Sequence, residues 1–290
     1  MVGIRKDDGI VTAAIEEGNV DCGIDLWLTF YDDIADDAVL ARLRELLSED
    51  ERRQETRYHF ADDRKRHVAT RALVRTVLSR YAAVAPTDWT FSANAYGRPQ
   101  IAGAPETMPE LRFNVSHTRG LIALGVTRSR ELGVDVEHVF ARQVGAGIAD
   151  RFFAPQEVAD LTRVAPQRRQ ERFFEYWTFK ESYVKARGMG MSIPLERFSF
   201  HFPHPRAVSL EMQPELGDNP ARWSFWQYRP APQYLLAICA ERRGGDSPGL
   251  RIFKTVPTVA AEALPLELLR SSFVSGHDEL HADECQRRSE

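Results

Sequence analysis

The first third of the chain alternates between a strand-like run and helical segments. Residues 23–30 form the strand-like run, and a helical stretch follows that ends near Leu47. Ser48 opens the next segment with Glu51 three residues later, which is the pattern of a capping box at a helix start. Asp62 or Asp63 is expected to cap the helix after that. Apolar residues at intervals of three and four predict its buried face: Val68, Ala69, Ala72, Leu73, Val77 and Tyr81.

Beyond Pro86 the pattern changes to short β-like runs separated by turn residues. A long helical stretch over 167–187 comes later and stops at Gly188 and Gly190. Four further strand-like runs then cover 198–202, 207–212, 223–228 and 234–240. Helices followed by strands thus occur twice, which predicts an α+β fold made of two related halves joined near Glu131.

This pattern divides the chain into four parts. We expect a loosely held N-terminus over 1–20, an N-terminal α+β half over 21–130, a C-terminal α+β half over 131–245 and a C-terminal extension over 246–290. The extension shows little periodicity. Its last residues, 275–290, hold five acids and two arginines and are expected to form a mobile tail.

Composition narrows the class of protein. The 290 residues are 43% hydrophobic and 28% charged, and 38 Lys and Arg against 42 Asp and Glu give a net charge of −4. No apolar run approaches the length of a membrane span, and the amino terminus lacks the apolar core of a signal peptide. Three widely spaced cysteines form no disulfide framework. We therefore expect a soluble, reduced, cytoplasmic protein that binds neither membranes nor nucleic acid.

One segment departs from the acidic balance. Residues 51–75 contain eight Lys and Arg against four acids, a local net charge of +4. Such a run is typical of a solvated helix face. It is equally consistent with a binding site for a polyanion of limited size.

The pentapeptide GVDVE, residues 133–137, is the first candidate for chemistry. In a strand, Asp135 and Glu137 lie on one face about 7 Å apart, with Val134 and Val136 on the other. Two adjacent carboxylates repel each other unless a cation lies between them, and hard divalent ions prefer such oxygen ligands. An exposed edge strand with alternating polarity is the alternative.

A second candidate is the helical segment FFEYWTFKESYVKARGMGM, residues 173–191. Trp177, Glu181 and Lys185 are spaced four residues apart and therefore share one face of a helix. Glu181 could add a third carboxylate to Asp135 and Glu137 and complete an Mg²⁺ site. The alternative is a surface Glu–Lys pair of small energetic value.

FNVSH, residues 113–117, and YGRP, residues 96–99, supply groups for an anion. Ser116 and His117 at a strand end can donate hydrogen bonds, and Arg98 adds a fixed positive charge. No GxSxG motif surrounds Ser116, so a serine nucleophile is not favoured. The chain also lacks a GxxxxGK[ST] phosphate loop and an HExxH motif.

The order YGRP, FNVSH, GVDVE and WTFKESYVKARGMG resembles the large, two-halved, Sfp-like type of 4′-phosphopantetheinyl transferase. That family combines a G-[VI]-D-[VI]-E strand with a later W-x-x-K-E-x-x-x-K helix, and both are present here. The resemblance covers about residues 48–240. It implies two pseudo-symmetric α+β halves with the active site in the cleft between them.

The resemblance also implies roles for individual residues. Asp135, Glu137 and Glu181 match the ligands of Mg²⁺, for which Mn²⁺ can substitute, and Lys185 matches the lysine on the coenzyme A pyrophosphate. Glu181 is the family-like candidate for the general base. The remaining matches are expected to bind coenzyme A: Ser116 and His117 at the 3′-phosphate, Arg66 and Arg98 at the nucleotide end, and Lys180, which fits the motif without a defined role. Glu51 and Gln54 stand where relatives tend to have lysines.

The implied reaction transfers the 4′-phosphopantetheine arm of coenzyme A to a serine of an acyl or peptidyl carrier protein and releases 3′,5′-ADP. Because one chain contains both halves, a monomer is expected. Arg151, Phe152, Phe153 and Arg163 are candidates for the rim that meets the carrier, although core packing is favoured for the two phenylalanines. Two alternatives stay open: another Mg²⁺-dependent nucleotide pyrophosphate enzyme, and a non-catalytic module that binds coenzyme A or a carrier protein.

Overall fold

The computed structural model describes residues 23–103, 110–145, 147–243 and 247–272. Its first part begins with a strand, continues through three helices and a two-stranded hairpin, and ends with two longer strands. The elements are β1 (Gly23–Phe30), α1 (Asp37–Glu45), α2 (Glu49–Glu55), α3 (Ala61–Leu78), β2 (Thr90–Ala93), β3 (Pro99–Ala102), β4 (Leu111–Thr118) and β5 (Leu121–Arg128).

The second part repeats this order of elements. Its elements are β6 (Leu132–His138), α4 (Ile148–Phe152), α5 (Pro155–Arg163), α6 (Pro166–Arg187), β7 (Phe198–His201), β8 (Ser209–Met212), β9 (Trp223–Tyr228) and β10 (Tyr234–Glu241). Three antiparallel strands in the order β1-β5-β4 form one side of one sheet and end at its edge with β4, and β6-β10-β9 repeat that order in the other sheet. The predicted α+β fold with two related halves is confirmed.

The C-terminal extension contributes strands to both sheets. They are β11 (Gly249–Val256), β12 (Ala260–Ala263) and β13 (Leu268–Ser271). Strand β11 pairs in parallel with β1 and carries β12 at the sheet edge, whereas β13 pairs with β9 of the other sheet. Phe253 stacks on Trp27 with ring centroids 4.4 Å apart. This part of the extension is therefore integral to the fold, while the predicted loose N-terminus and the mobile tail lie outside the described residues.

Each long helix buries one face against the sheet of its own half. The predicted apolar face of α3 is buried as expected, with Val68, Ala69, Ala72 and Leu73 fully covered. Helix α6 buries a largely aromatic face that includes Phe174, Phe179 and Tyr183. None of the helices in the described part of the chain is long and apolar enough to cross a membrane.

The helix ends follow the local sequence with one exception. The capping box of Ser48 and Glu51 forms at the start of α2 as predicted. Helix α3, by contrast, begins after Phe60 without a side-chain cap, so the predicted caps by Asp62 or Asp63 are wrong. Both aspartates lie in the first turn instead, where a negative charge interacts favourably with the helix dipole. Helix α6 ends at Gly188, whose φ of 65° is accessible to glycine at little cost.

Candidate active site

The two halves meet where β4 of the first lies beside β6 of the second. Polar side chains of β4 accept hydrogen bonds from the backbone amides of every second residue of β6. The three bonds run from Val134 N to Asn114 Oδ1 at 2.8 Å, from Val136 N to Ser116 Oγ at 3.3 Å and from His138 N to Thr118 Oγ1 at 3.1 Å. These bonds pair backbone amides at the edge of β6 that would otherwise be buried without an acceptor. They also fix the position of the GVDVE strand.

Gly133 sets the distance between β6 and α6. A Cβ atom at this position would overlap the carbonyl oxygen of Ser182 and the amide nitrogen of Ala186. Only glycine allows the strand to approach the helix backbone this closely. The carboxylates of GVDVE were predicted from the sequence but this role of Gly133 was not, although a glycine within a strand is itself a signal of close backbone approach.

Asp135 lies at the centre of the junction and is 4% exposed. Its Oδ1 accepts a bond from Lys185 Nζ at 2.7 Å and one from Ser116 Oγ at 3.1 Å. Lys185 Nζ also donates to Ser116 Oγ at 2.9 Å and to the Val134 carbonyl at 3.1 Å. The other carboxylate oxygen, Oδ2, is buried and has no hydrogen-bond partner in the described part of the chain.

Glu137 and Glu181 flank this aspartate. Desolvation, followed by the charge of Asp135, raises the pKa of each glutamate to about 7. Burial and the charge of Asp135 therefore disfavour the ionised form of both glutamates, and a cation bound between them would favour it.

The donor chemistry of the three carboxylates suits Mg²⁺, which prefers oxygen ligands, and the unpartnered Oδ2 of Asp135 is available for one. The side chains as they stand form no group of three that could hold a metal ion within the described residues. The Lys185 ammonium binds Oδ1 of the same aspartate. Metal ligation by Asp135, Glu137 and Glu181 therefore stays a prediction.

The two lysines of the WTFKESYVK segment have different environments. The Lys185 side chain is 26% exposed and can be reached from solvent. Lys180 is fully buried, and its ammonium binds Glu157 Oε2 at 2.8 Å and the carbonyls of Leu195 and Phe198 at 2.8 and 2.6 Å. Since an ammonium has three donors, none is left for a ligand. This position argues against the predicted contact between Lys180 and coenzyme A and assigns Lys180 to the core of the second half.

Ser116 and His117 point to opposite faces of β4, as neighbours in a strand must. Ser116 is buried among Asp135, Lys185 and the β6 backbone. His117 is exposed, and desolvation together with the nearby charge of Arg66 lowers its pKa. Arg66 itself binds Asp63 at 2.6 Å. The structure thus brings His117 and Arg66 together on one face and places Ser116 with the carboxylates; nucleotide binding by all three stays a prediction.

Part of the basic segment has a structural role. Arg75 is buried and binds Glu51 Oε2 at 2.9 Å and the carbonyls of Pro86 and Trp89 at 3.0 Å. Glu51, which departs from the family pattern, is therefore a partner within the fold. Because Arg75 is buried, a bound polyanion could not contact it.

Arg98 is also committed to protein partners. Its guanidinium donates to Glu131 Oε2 at 2.9 Å, to the Ala186 carbonyl at 3.1 Å and to the Leu132 carbonyl at 3.1 Å. The side chain is 17% exposed. Binding of the nucleotide by Arg98 stays a prediction. Its contacts also fit a structural role between α6 and β6.

Aromatic side chains pack around the middle of α6. Trp177 is half-buried and stacks on Phe173 with centroids 5.7 Å apart, while Phe152 meets its ring edge-on at 5.9 Å. Phe153 is 2% exposed and belongs to the core, as favoured from the sequence. Phe152 is half-buried beneath the guanidinium of Arg151.

Comparisons with known proteins agree with this geometry. Residues 131–239 match the 4′-phosphopantetheinyl transferase superfamily, and residues 36–128 match the N-terminal domain of 4′-phosphopantetheinyl transferases. The chain is 33% identical to 4′-phosphopantetheinyl transferase ffp of Bacillus subtilis, over 69% of this chain and 85% of that protein. It is 31% identical to Sfp of Bacillus subtilis strain 168 and to HetI of a Nostoc species, over 69% of this chain and 84% and 80% of theirs. The chain belongs to the 4′-phosphopantetheinyl transferase superfamily.

Proposed function

We propose that this protein transfers the 4′-phosphopantetheine arm of coenzyme A to a serine of an apo carrier protein and releases 3′,5′-ADP. The observation that carries the proposal is the junction of Asp135, Lys185 and Ser116 between β4, β6 and α6, flanked by Glu137 and Glu181. The junction combines the partly exposed ammonium of Lys185 with a carboxylate, Asp135, whose Oδ2 has no hydrogen-bond partner in the described residues. Phosphoryl transfer needs such a site, since its catalysis consists mostly of positioning and charge neutralisation.

Coenzyme A would lie with its pyrophosphate at Lys185 and its nucleotide toward the first half. The Lys185 ammonium is partly exposed and would exchange part of its contact with Asp135 for a pyrophosphate oxygen. His117 and Arg66 share a positively charged face on the other side of β4 and would receive the 3′-phosphate. The basic surface of α2 and α3, without the buried Arg75, extends this face.

The chemical step requires a base and a neutralised leaving group. The oxygen of the carrier serine attacks the phosphorus next to pantetheine, the bond from that phosphorus to the bridging oxygen breaks, and 3′,5′-ADP leaves with the bond's electrons. Glu181 is the candidate acceptor of the serine proton, because its carboxylate lies beside Asp135 and Lys185. Lys185 offsets the charge that builds on the pyrophosphate oxygens.

Asp135, Glu137 and Glu181 would hold Mg²⁺, or Mn²⁺ in its place. When bound, the ion supplies positive charge to the pyrophosphate and to the crowded carboxylates. Asp135 and Glu137 of β6 and Glu181 of α6 would hold the ion, and Lys185 of the same helix would add its positive charge to that of the ion.

The partners follow from the same arrangement. Both sides of the cleft come from one chain, so we propose that the protein acts as a monomer in the cytoplasm. The acceptor is a carrier protein of fatty-acid, polyketide or peptide synthesis. Arg151 and Phe152, next to the end of α4, are candidates for contact with its acidic surface.

Intact mass spectrometry tests the proposal. An apo carrier protein is incubated with this protein, coenzyme A and Mg²⁺, and a matched reaction contains EDTA. A gain of one phosphopantetheine on the carrier serine that EDTA abolishes is the expected result. If fatty-acid, polyketide and peptidyl carriers all stay unmodified although coenzyme A binds, the transferase assignment fails and a binding module takes its place.

A further inference from the structure

The hairpin of the first half reaches across to the end of the helix that carries Glu181 and Lys185. Its turn, residues 94–98, is fixed internally: Asn94 Oδ1 accepts the amides of Tyr96 and Arg98, both at 2.9 Å. Gly97 allows the turn with a φ of 85°. We call this segment the 94–98 turn.

Two side chains of the 94–98 turn supply donors to the C-terminal end of α6. Arg98 Nη1 donates to the Ala186 carbonyl at 3.1 Å, and Asn94 Nδ2 donates to the Gly188 carbonyl at 2.8 Å. The last carbonyls of a helix have no partners within it, and a cation at this end also interacts favourably with the helix dipole. The turn therefore acts as a C-terminal cap that comes from the other half of the molecule.

The same arginine holds the strand of the carboxylates. Arg98 Nη2 donates to the Leu132 carbonyl at 3.1 Å, and Nη1 binds Glu131 Oε2 at 2.9 Å. The carbonyl of Ala186 follows Lys185 directly, and that of Leu132 precedes Asp135 by three residues. One planar guanidinium thus bridges the backbone beside both members of the Lys185–Asp135 pair.

The backbones at this junction are closely packed. Gly133 lies between the two bridged backbones and already touches the helix. A Cβ atom at Gly188 would meet Arg98 Nη1 at 3.1 Å and Asn94 Nδ2 at 3.5 Å, so the turn is packed tightly on the helix end. Movement of the turn would therefore move the end of α6 relative to β6.

We propose that Arg98, with Asn94, is a positioning residue that sets the distance between Lys185 and Asp135 by holding the end of α6 against β6. The proposal rests on the proposed transferase function for its kinetic consequence. A positioning role and a nucleotide-binding role predict opposite effects on kcat and KM. Misplacement of reacting groups by about 1 Å costs up to about 100-fold in rate, whereas a lost ligand contact raises KM.

The test compares Arg98→Ala and Arg98→Lys with Arg112→Ala. Arg112 binds the other oxygen of Glu131 and lies on β4, but it bonds neither to α6 nor to the Leu132 carbonyl, so it is a matched control. Steady-state transfer and calorimetric binding of coenzyme A are measured for each. Arg98→Ala is expected to lower kcat by about 10- to 100-fold, with KM and affinity for coenzyme A within about twofold of wild type. Arg98→Lys should recover part of kcat, and Arg112→Ala should leave it within about twofold.

Hydrogen exchange at the amides of residues 186–190 gives a readout independent of transfer. Arg98→Ala and Asn94→Ala should each speed exchange at the Gly188 amide by about tenfold, and Arg112→Ala should not. Unchanged exchange in both variants overturns the inference even if the wild-type protein transfers nothing. A raised KM with unchanged kcat, or equal losses in Arg98→Ala and Arg112→Ala, overturns it as well.

Discussion

The two halves of the molecule begin with nearly the same strand. Strand β1 carries Gly23 and Asp25, and β6 carries Gly133 and Asp135 in the same spacing, but β1 lies between β11 and β5 whereas β6 is at the edge of its sheet. Both aspartates are almost fully buried, at 3% and 4% exposure. Only the second lies among groups that could take part in chemistry. The strand sequence alone therefore does not make a carboxylate functional.

The difference lies in what packs against each aspartate. Arg251 of β11 binds both oxygens of Asp25, at 2.7 and 2.8 Å, and the hydroxyl of Tyr81 donates to Oδ2 at 2.6 Å. Asp135 has Lys185 and Ser116 on one oxygen and no partner on the other in the described residues. The extension thus neutralises the first carboxylate, while the second keeps capacity for a ligand.

Substitution of the two aspartates is expected to give the largest difference in transfer activity. Asp135→Ala should reduce transfer by at least about 1000-fold, because it removes a proposed metal ligand and the partner of Lys185. Asp25→Ala should leave kcat within about threefold but lower the free energy of unfolding by about 1.5–3 kcal/mol through the lost charge-assisted bonds. Transfer assays and denaturant unfolding measure the two quantities.

Each variant serves as the control of the other. If Asp25→Ala abolishes transfer while the protein stays folded, the two halves do not divide structure and chemistry as argued. Normal turnover of Asp135→Ala at low Mg²⁺ would rule out metal ligation by this residue.

Alanine substitutions at the glycines of the two strands are expected to give the next largest difference, in stability and in kcat. An alanine Cβ at Gly133 overlaps the backbone of α6, whereas at Gly23 it would meet the Gly249 carbonyl oxygen at 3.2 Å. Gly133→Ala should destabilise the fold by about 1–3 kcal/mol and, in the folded fraction, lower kcat by about 100-fold as β6 shifts from α6. Gly23→Ala should change stability by less than about 1 kcal/mol and leave kcat unaltered. Thermal unfolding and kcat of the purified variants decide; a fully active Gly133→Ala would show that the spacing tolerates a shift.

The sequence predicted the elements that bring Asp135, Glu181 and Lys185 together, because period-two and period-four spacing place side chains on known faces. It could not assign Lys180. Adjacent lysine and glutamate residues on a helix point about 100° apart, and which of them is buried depends on Glu157 and on carbonyls far along the chain. The role of Arg98 likewise depends on long-range contacts.

The extension was the least predictable part of the fold. Strand β11 is half-exposed and lacks strict alternation, so its pairing with β1 left little trace in the hydrophobic pattern. Its register is set by specific partners, such as Arg251 with Asp25 and Phe253 with Trp27. Such pairs become visible only when both halves of the chain are folded.

A smaller effect tests whether the first half supplies the nucleotide site. His117→Ala should raise KM for coenzyme A by about tenfold and leave KM for dephospho-coenzyme A nearly unchanged, because it removes a donor to the 3′-phosphate. His201 of the second half, which bonds to Ser199 and Glu211, is the matched control, and His201→Ala should affect neither substrate. Equal losses for both substrates in His117→Ala would place the 3′-phosphate elsewhere.

The smallest expected difference is in how much Mg²⁺ stabilises variants of the two aspartates. With coenzyme A present, Mg²⁺ at ten times its dissociation constant should stabilise the wild-type protein by about 1.4 kcal/mol, which corresponds to about 2 °C in Tm relative to EDTA. Asp25→Asn should keep this shift, since Arg251 and Tyr81 already saturate Asp25. Asp135→Asn should lose it, because the change removes the charge beside the unpartnered oxygen. A full shift in Asp135→Asn would place the ion away from β6, and the contrast between the halves would then rest on Lys185 alone.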